Sequence, residues 1–159
     1  MLRPSVKARS SKRSLDLEAI KEIIPQRFPF LMLDRVVELV PGVRVAAIKQ
    51  LTGNEWFYQG HFPHKAVTPG AMILEGMAQA AIIFLHFCDE EIVPKVTYLL
   101  GSAKIRYLEP VLPGSSLHIE VTPVRVTSRA GLVQAVATVD GVVVARGELG
   151  LGMKSNESW

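Results

Sequence analysis

Two periodicities divide the chain. The segment LDLEAIKEII (residues 15–24) repeats at helical spacing, with Leu17, Ile20, Ile23 and Ile24 on one face, and Pro25 and Pro29 close it. DRVVELV (34–40) and VRVAAIKQL (43–51) are rich in β-branched residues and meet across Pro41-Gly42, which predicts a hairpin. Residues 52–70 keep no period. This loop is dense in aromatic residues and reads either as a packed loop or as the wall of a site. Residues 71–87 are apolar on almost every side, the pattern of a helix buried all round, with Thr68 as its predicted N-cap and Pro69 at its first position. The last third returns to strands: YLLGSAKIRYL (98–108), SLHIEVTPVRVTS (116–128), LVQAVATVD (132–140) and VVVARGELGLGM (142–153). Asp140-Gly141 predicts a tight turn, and Pro123 a bulge or an edge position.

Strands and helices do not alternate as β-α-β units. The predicted class is therefore α+β, an antiparallel sheet wrapped around one long central helix. Such a sheet leaves an edge to be covered, and pairing with a second copy is the economical way to cover it. The expected organisation is a basic, disordered tail over 1–14, a single domain over 15–153 and a short C-terminal tail over 154–159.

Composition narrows the function classes. The 159 residues suit one domain, and 48% hydrophobic residues with mean hydropathy +0.24 exclude a disordered chain. The formal charge is +3, but residues 1–14 hold five bases and no acid, so subtracting five from three leaves −2 for residues 15–159. The pI of 9.2 thus belongs to the tail, and no nucleic-acid partner is expected. The tail has no apolar segment of the secretory kind. Glu75, Gln79 and His86 interrupt the most apolar stretch, residues 71–88, so no membrane span is expected. Cys88 is the only cysteine, which excludes an internal disulfide, and the four histidines lack zinc-type spacing, so no metal is expected.

Three residues could carry chemistry. Glu75 lies in the second turn of the buried helix, where desolvation raises a carboxyl pKa and makes a proton donor. Gln79, one turn on, could hold it. The alternative is a structural ion pair from Glu75 to Lys104 or Arg106. His61, in Gly60-His61-Phe62-Pro63, suits a general base; the alternative is a histidine satisfied by a backbone carbonyl in a packed loop. Gly70 opens the helix, where unpaired N–H groups could bind an oxyanion; the alternative is ordinary helix initiation. Together, a base, an acid and an oxyanion donor suit proton abstraction beside a carbonyl with protonation of a leaving group.

RFPFLMLDRV (27–36), NEWFYQGHFP (54–63), TPGAMILEGMAQAA (68–81) and KIRYLEPVLPG (104–114) resemble the FabZ-type 3-hydroxyacyl-acyl-carrier-protein dehydratases, over about residues 15–152. The resemblance implies a hotdog fold, dimers that pair their sheets and often assemble as a trimer of dimers, and an acyl-carrier protein as the partner that brings the substrate. It implies reversible dehydration of a (3R)-3-hydroxyacyl thioester to a trans-2-enoyl thioester, in the cytoplasm and with no cofactor, in fatty-acid or polyketide-type synthesis. By motif, His61 would take the C2 proton. Glu75, from the other subunit, would protonate the leaving hydroxyl. Gly70 N–H would polarise the thioester carbonyl and Gln79 would orient Glu75. Phe28, Phe30, Met72, Met77, Ile82 and Phe84 are candidates for an acyl tunnel wall, with core packing as the alternative for each. The chain departs from the family pattern at Gln26, Ala66, Thr68, Ala103, Leu108 and Glu109, which suggests a divergent member in a specialised pathway. Two rival readings are a thioesterase or acyl-CoA hydratase on the same fold, and a non-catalytic acyl-binding subunit of a heteromeric dehydratase.

Overall fold

Among the described residues all six strand pairings are antiparallel, and they join the strands into one seven-stranded sheet in the order β1-β2-β3-β5-β6-β7-β4. The computed structural model describes residues 12–88 and 96–155. The strands are β1 (Arg13–Leu15), β2 (Arg35–Val40), β3 (Arg44–Gln50), β4 (Val96–Tyr107), β5 (Ser116–Val126), β6 (Ala130–Val139) and β7 (Val142–Ser155). Helix α1 (Leu17–Ile23) follows β1, and a 3-10 turn (Trp56–Gln59) and the long helix α2 (Gly70–His86) lie between β3 and β4.

The sheet buries its concave side against α2. Val45 and Ala47 of β3, Leu117, Ile119 and Val121 of β5, and Val133, Ala135 and Ala137 of β6 alternate inward and are buried. Small residues on β6 let the helix lie close: at Gly131, the second residue of the strand, a side-chain carbon would collide with Leu85 of α2. From Gly76 to Leu85 every residue of α2 is buried, as an all-round apolar helix requires. Lys49 points the same way from β3 and is nearly buried; it is matched by Glu55 at 3.2 Å and Asp34 at 3.6 Å.

Local sequence explains the element ends. Asp16 caps α1 by accepting from the Ala19 N–H at 2.9 Å. Of the four apolar residues expected on its buried face, Ile20 and Ile24 are buried and Leu17, in the first turn, is 38% exposed. Asp140 and Gly141 both have positive φ (50° and 79°), which makes the two-residue turn that suits the twist of β6 and β7. The register of β5 against β6 shifts between Pro123 and Arg125, where a residue without an N–H cannot serve the ladder.

Three expectations are corrected. Arg13 and Ser14, placed in the tail, belong to β1. This strand pairs with the edge of β2, and Lys12 adds an ion pair to Glu38 at 3.3 Å. Likewise β7 runs to Ser155, past the expected boundary at 153, because β4 offers partners as far as Val96. Residues 1–11 and 156–159, and with them most of both expected tails, lie outside the described residues. Thr68 does not cap α2. Pro69 stands at the cap, without a side-chain bond, and the Thr68 hydroxyl instead meets the Tyr58 hydroxyl at 2.8 Å in the core.

Strand β4 ends the sheet. Among the described strands its neighbour is β7, and it exposes Leu99 and Leu100. No described helix is long and apolar enough to cross a membrane.

Candidate active site

Glu75 and Gln79 lie one turn apart on α2, and Gln79 Nε2 donates to Glu75 Oε1 at 2.8 Å. The rest of the Gln79 amide is also engaged. Its Nε2 donates to the Phe30 carbonyl at 2.7 Å, and its Oε1 accepts from the Met32 N–H at 2.7 Å. These two backbone groups fix which end of the amide is which. Gln79 therefore presents a hydrogen, never an acceptor, to Glu75. Burial pushes the Glu75 carboxyl above the usual range, against the lowering effect of the Gln79 bond. Lys104 and Arg106 do not pair with Glu75: both are exposed on β4, and among the described residues no ion pair to Glu75 is formed within the chain.

His61 lies in the loop before α2, next to the 3-10 turn. Its Nδ1 is 2.8 Å from the Val67 carbonyl oxygen. A carbonyl can only accept, so Nδ1 carries the hydrogen and Nε2 of the neutral ring is left bare. The backbone-satisfied histidine and the poised base are thus one arrangement. The loop is pinned by Val67 N–H to the His61 carbonyl at 2.9 Å and by Phe62 stacking on the imidazole at 3.9 Å between centroids.

Gly70 opens α2 at the rim of a cavity of about 500 Å³, lined by His61, Val67, Thr68, Gly70, Ile73 and Tyr107 with residues 108–111. The ring of Tyr107 lies over the Gly70 Cα: a Cβ there would stand 2.8 Å from its Cζ. Only glycine fits. The cavity brings together His61 and Gly70, as the sequence suggested, and adds Tyr107, which it did not. Glu75 is not among the residues of this wall.

The FabA-like domain profile matches residues 24–148. The chain belongs to the FabA-like family. It is 45% identical over 136 residues to the 3-hydroxyacyl-[acyl-carrier-protein] dehydratase FabZ of Myxococcus xanthus, covering 84% of this chain and 88% of that one. It is 47% identical over 142 residues to the enzyme of the same name from an Anaeromyxobacter species, covering 86% and 89%. Among solved structures, the dehydratase heterocomplex ApeI:P of Xenorhabdus doucetiae aligns with TM-score 0.72 at 17% identity, over 87% of this chain and 92% of that one. A hot-dog-like protein of Thermanaerovibrio acidaminovorans aligns with TM-score 0.59 at 18% identity, over 75% and 86%. The sheet wrapped on α2 is the hotdog fold.

In this FabA-like domain the six residues expected as tunnel wall divide. Met77 and Phe84 are fully buried and Met72 and Ile82 nearly so, all within the core cluster. Phe28 is 92% exposed and Phe30 47%. The cavity beside His61 is walled instead by Val67, Ile73 and Val111. An apolar residue at helical spacing serves core and tunnel equally well, so the sequence pattern could not separate them.

Proposed function

We propose that this protein is a 3-hydroxyacyl-acyl-carrier-protein dehydratase, which interconverts (3R)-3-hydroxyacyl and trans-2-enoyl thioesters in fatty-acid or polyketide-type synthesis in the cytoplasm. One observation carries the reading: two proton-transfer groups set for opposite roles. Burial favours a protonated Glu75, and the Val67 carbonyl holds the His61 hydrogen on Nδ1, so that Nε2 is the accepting nitrogen of the neutral ring. The names of relatives with more than two-fifths identity over most of their length support it.

In this reading the thioester carbonyl receives the Gly70 N–H at the start of α2, where the helix leaves its first donors unpaired. That contact acidifies C2. His61 Nε2 takes the C2 proton, the C2–C3 double bond forms, the C3–O bond breaks, and Glu75 gives its proton to the departing hydroxyl, which leaves as water. Gln79 keeps Oε1 of Glu75 occupied, so the other oxygen holds the proton. Exchange with water restores His61 and Glu75. Chemistry of this kind uses no metal or organic cofactor.

The Glu75 that faces a given His61 would come from a second copy. Glu75 is absent from the wall of the His61 cavity, and β4, the last strand of the sheet among the described residues, exposes Leu99 and Leu100. Two copies joined along β4 would extend the sheet, and three such dimers would make the hexamer expected from the resemblance. The test is hydration of a trans-2-enoyl thioester, carried on acyl-carrier protein and separately on CoA, followed by loss of the conjugated absorbance. Formation of the 3-hydroxyacyl product, lost in both His61→Ala and Glu75→Gln, supports the assignment. Thioester cleavage without hydration identifies a hydrolase, and binding without turnover a non-catalytic subunit.

A further inference from the structure

Tyr107 is the last residue of β4, and two observations tie it to Gly70. Its ring covers the glycine so closely that Cζ, Cε1 and Cε2 lie 2.8, 2.9 and 3.2 Å from the place of a Cβ. Its hydroxyl donates to the Gly70 carbonyl at 2.7 Å. The ring has a firm base: Tyr107 pairs with Ala145 of β7, and the next residue, Leu108, donates its N–H to the Val144 carbonyl at 2.8 Å. A second tie comes from the same connection, where the Thr68 N–H donates to the Val111 carbonyl at 2.8 Å. Residues 68–70 are thus held from both ends by the chain between β4 and β5.

Glycine has the widest backbone freedom of any residue. A donor on glycine can swing away from the direction in which an oxyanion grows, and an unaligned donor stabilises little. The close ring favours a glycine here, and the hydroxyl restrains what that glycine makes loose. We propose that Tyr107 is a positioning residue: bonded to the Gly70 carbonyl and packed on the Gly70 Cα, it limits rotation about this residue and so keeps the Gly70 N–H, on the preceding peptide, facing the substrate carbonyl in the cavity shared with His61. This rests on the reaction assigned above. The Tyr107 hydrogen is already given to Gly70, so the hydroxyl acts through that glycine. A phenol keeps its hydrogen at neutral pH, and desolvation raises the Tyr107 pKa further.

Tyr107→Phe tests the role, since it keeps the ring and removes one oxygen. Loss of an oxyanion donor costs about 100- to 1000-fold in kcat, so loosening one is expected to cost about 5- to 30-fold, with KM within about twofold. The isotope effect from deuterium at C2 should rise, because proton abstraction becomes slower relative to other steps. Amide exchange should quicken at residues 70–72 and stay unchanged in the β-sheet. An unchanged kcat overturns the proposal, as does a raised KM with kcat intact, which would make Tyr107 a binding wall. If Tyr107→Phe lowers stability as a whole, exchange that is no faster at 70–72 than elsewhere overturns it too. If the wild-type protein hydrates no enoyl thioester, the assigned reaction fails, and the exchange pattern alone still reports whether the hydroxyl holds the helix start.

Discussion

Glu75 Oε1 accepts a hydrogen bond from Gln79 Nε2 at 2.8 Å, and Gln79 is itself locked by backbone groups of Phe30 and Met32. A half-buried carboxyl is thereby tied, through one amide, to the RFPF turn and the segment that follows it. Gln79→Leu breaks all three bonds and leaves buried backbone groups unpaired, at a cost of about 2–4 kcal/mol in urea unfolding. It also removes the contact that pulls the Glu75 pKa down against desolvation. Dehydration needs Glu75 protonated, so its rate falls as pH rises through that value. In Gln79→Leu this alkaline limb should move to higher pH, with kcat reduced about 10- to 100-fold.

The raised pKa of Glu75 also bears on stability. The unfolded carboxyl gives up its proton in the ordinary range, while the folded one holds it to higher pH. Stability therefore falls as pH rises between the two values, because the unfolded chain gains by ionising there while the folded chain, which solvates the charge poorly, does not. Glu75→Gln removes that charge. Its melting temperature should match the wild type below the ordinary carboxylate range and exceed it at neutral pH, while hydration activity is lost. Melting curves across pH check this, and equal curves at pH 7 would contradict it.

The tie between His61 and Val67 makes a spectroscopic prediction. With the Val67 carbonyl fixing the hydrogen on Nδ1, nitrogen NMR should show a protonated Nδ1 and a bare Nε2 in the neutral ring. The opposite tautomer would remove the base from the face assigned to it. His61→Ala should lower kcat by at least about 1000-fold, yet cost only about 1 kcal/mol of stability, the usual worth of one hydrogen bond.

How much of this was legible in the sequence differs by scale. Alternation such as Leu117, Ile119, Val121 located strands to within a few residues, because a sheet buried on one face imposes a period of two. The all-round apolar pattern located α2. Strand β1 was invisible, since three residues in a basic segment carry no period, and pairing with β2 alone makes them a strand. Glu75 and Gln79 could be read because their contact is one helical turn. Tyr107 could not be read, because its contact with Gly70 spans 37 residues and depends on where β4 ends. The same holds for Thr68, a sound cap by local chemistry that Tyr58 draws into the core.

Gly70→Ala should expose the Tyr107 contact as an energy. The new methyl group meets the ring at 2.8 Å, and overpacking of this kind costs about 1–3 kcal/mol. Tyr107→Ala removes the ring and gives the methyl room. The double variant should therefore be more stable than the sum of the single losses predicts, by about 1–2 kcal/mol. Additive losses in urea unfolding would mean that the two residues do not press on each other in solution.

The sharpest test concerns which chain supplies which group. If each site takes His61 from one copy and Glu75 from the other, His61→Ala and Glu75→Gln dimers are each inactive for a different reason. In a mixed dimer, one site then combines both altered residues and the other combines both intact ones. Unfolding and refolding the two variants together at equal amounts should make half the dimers mixed, each with one working site, and restore about a quarter of wild-type activity. If both groups of a site come from one chain, every site in the mixture lacks one of them and no activity returns. The same mixture kept below exchange, without refolding, should stay inactive in either case. Recovery on refolding would thus join the place of β4 at the end of the described sheet, the absence of Glu75 from the wall of the His61 cavity and the chemistry into one arrangement.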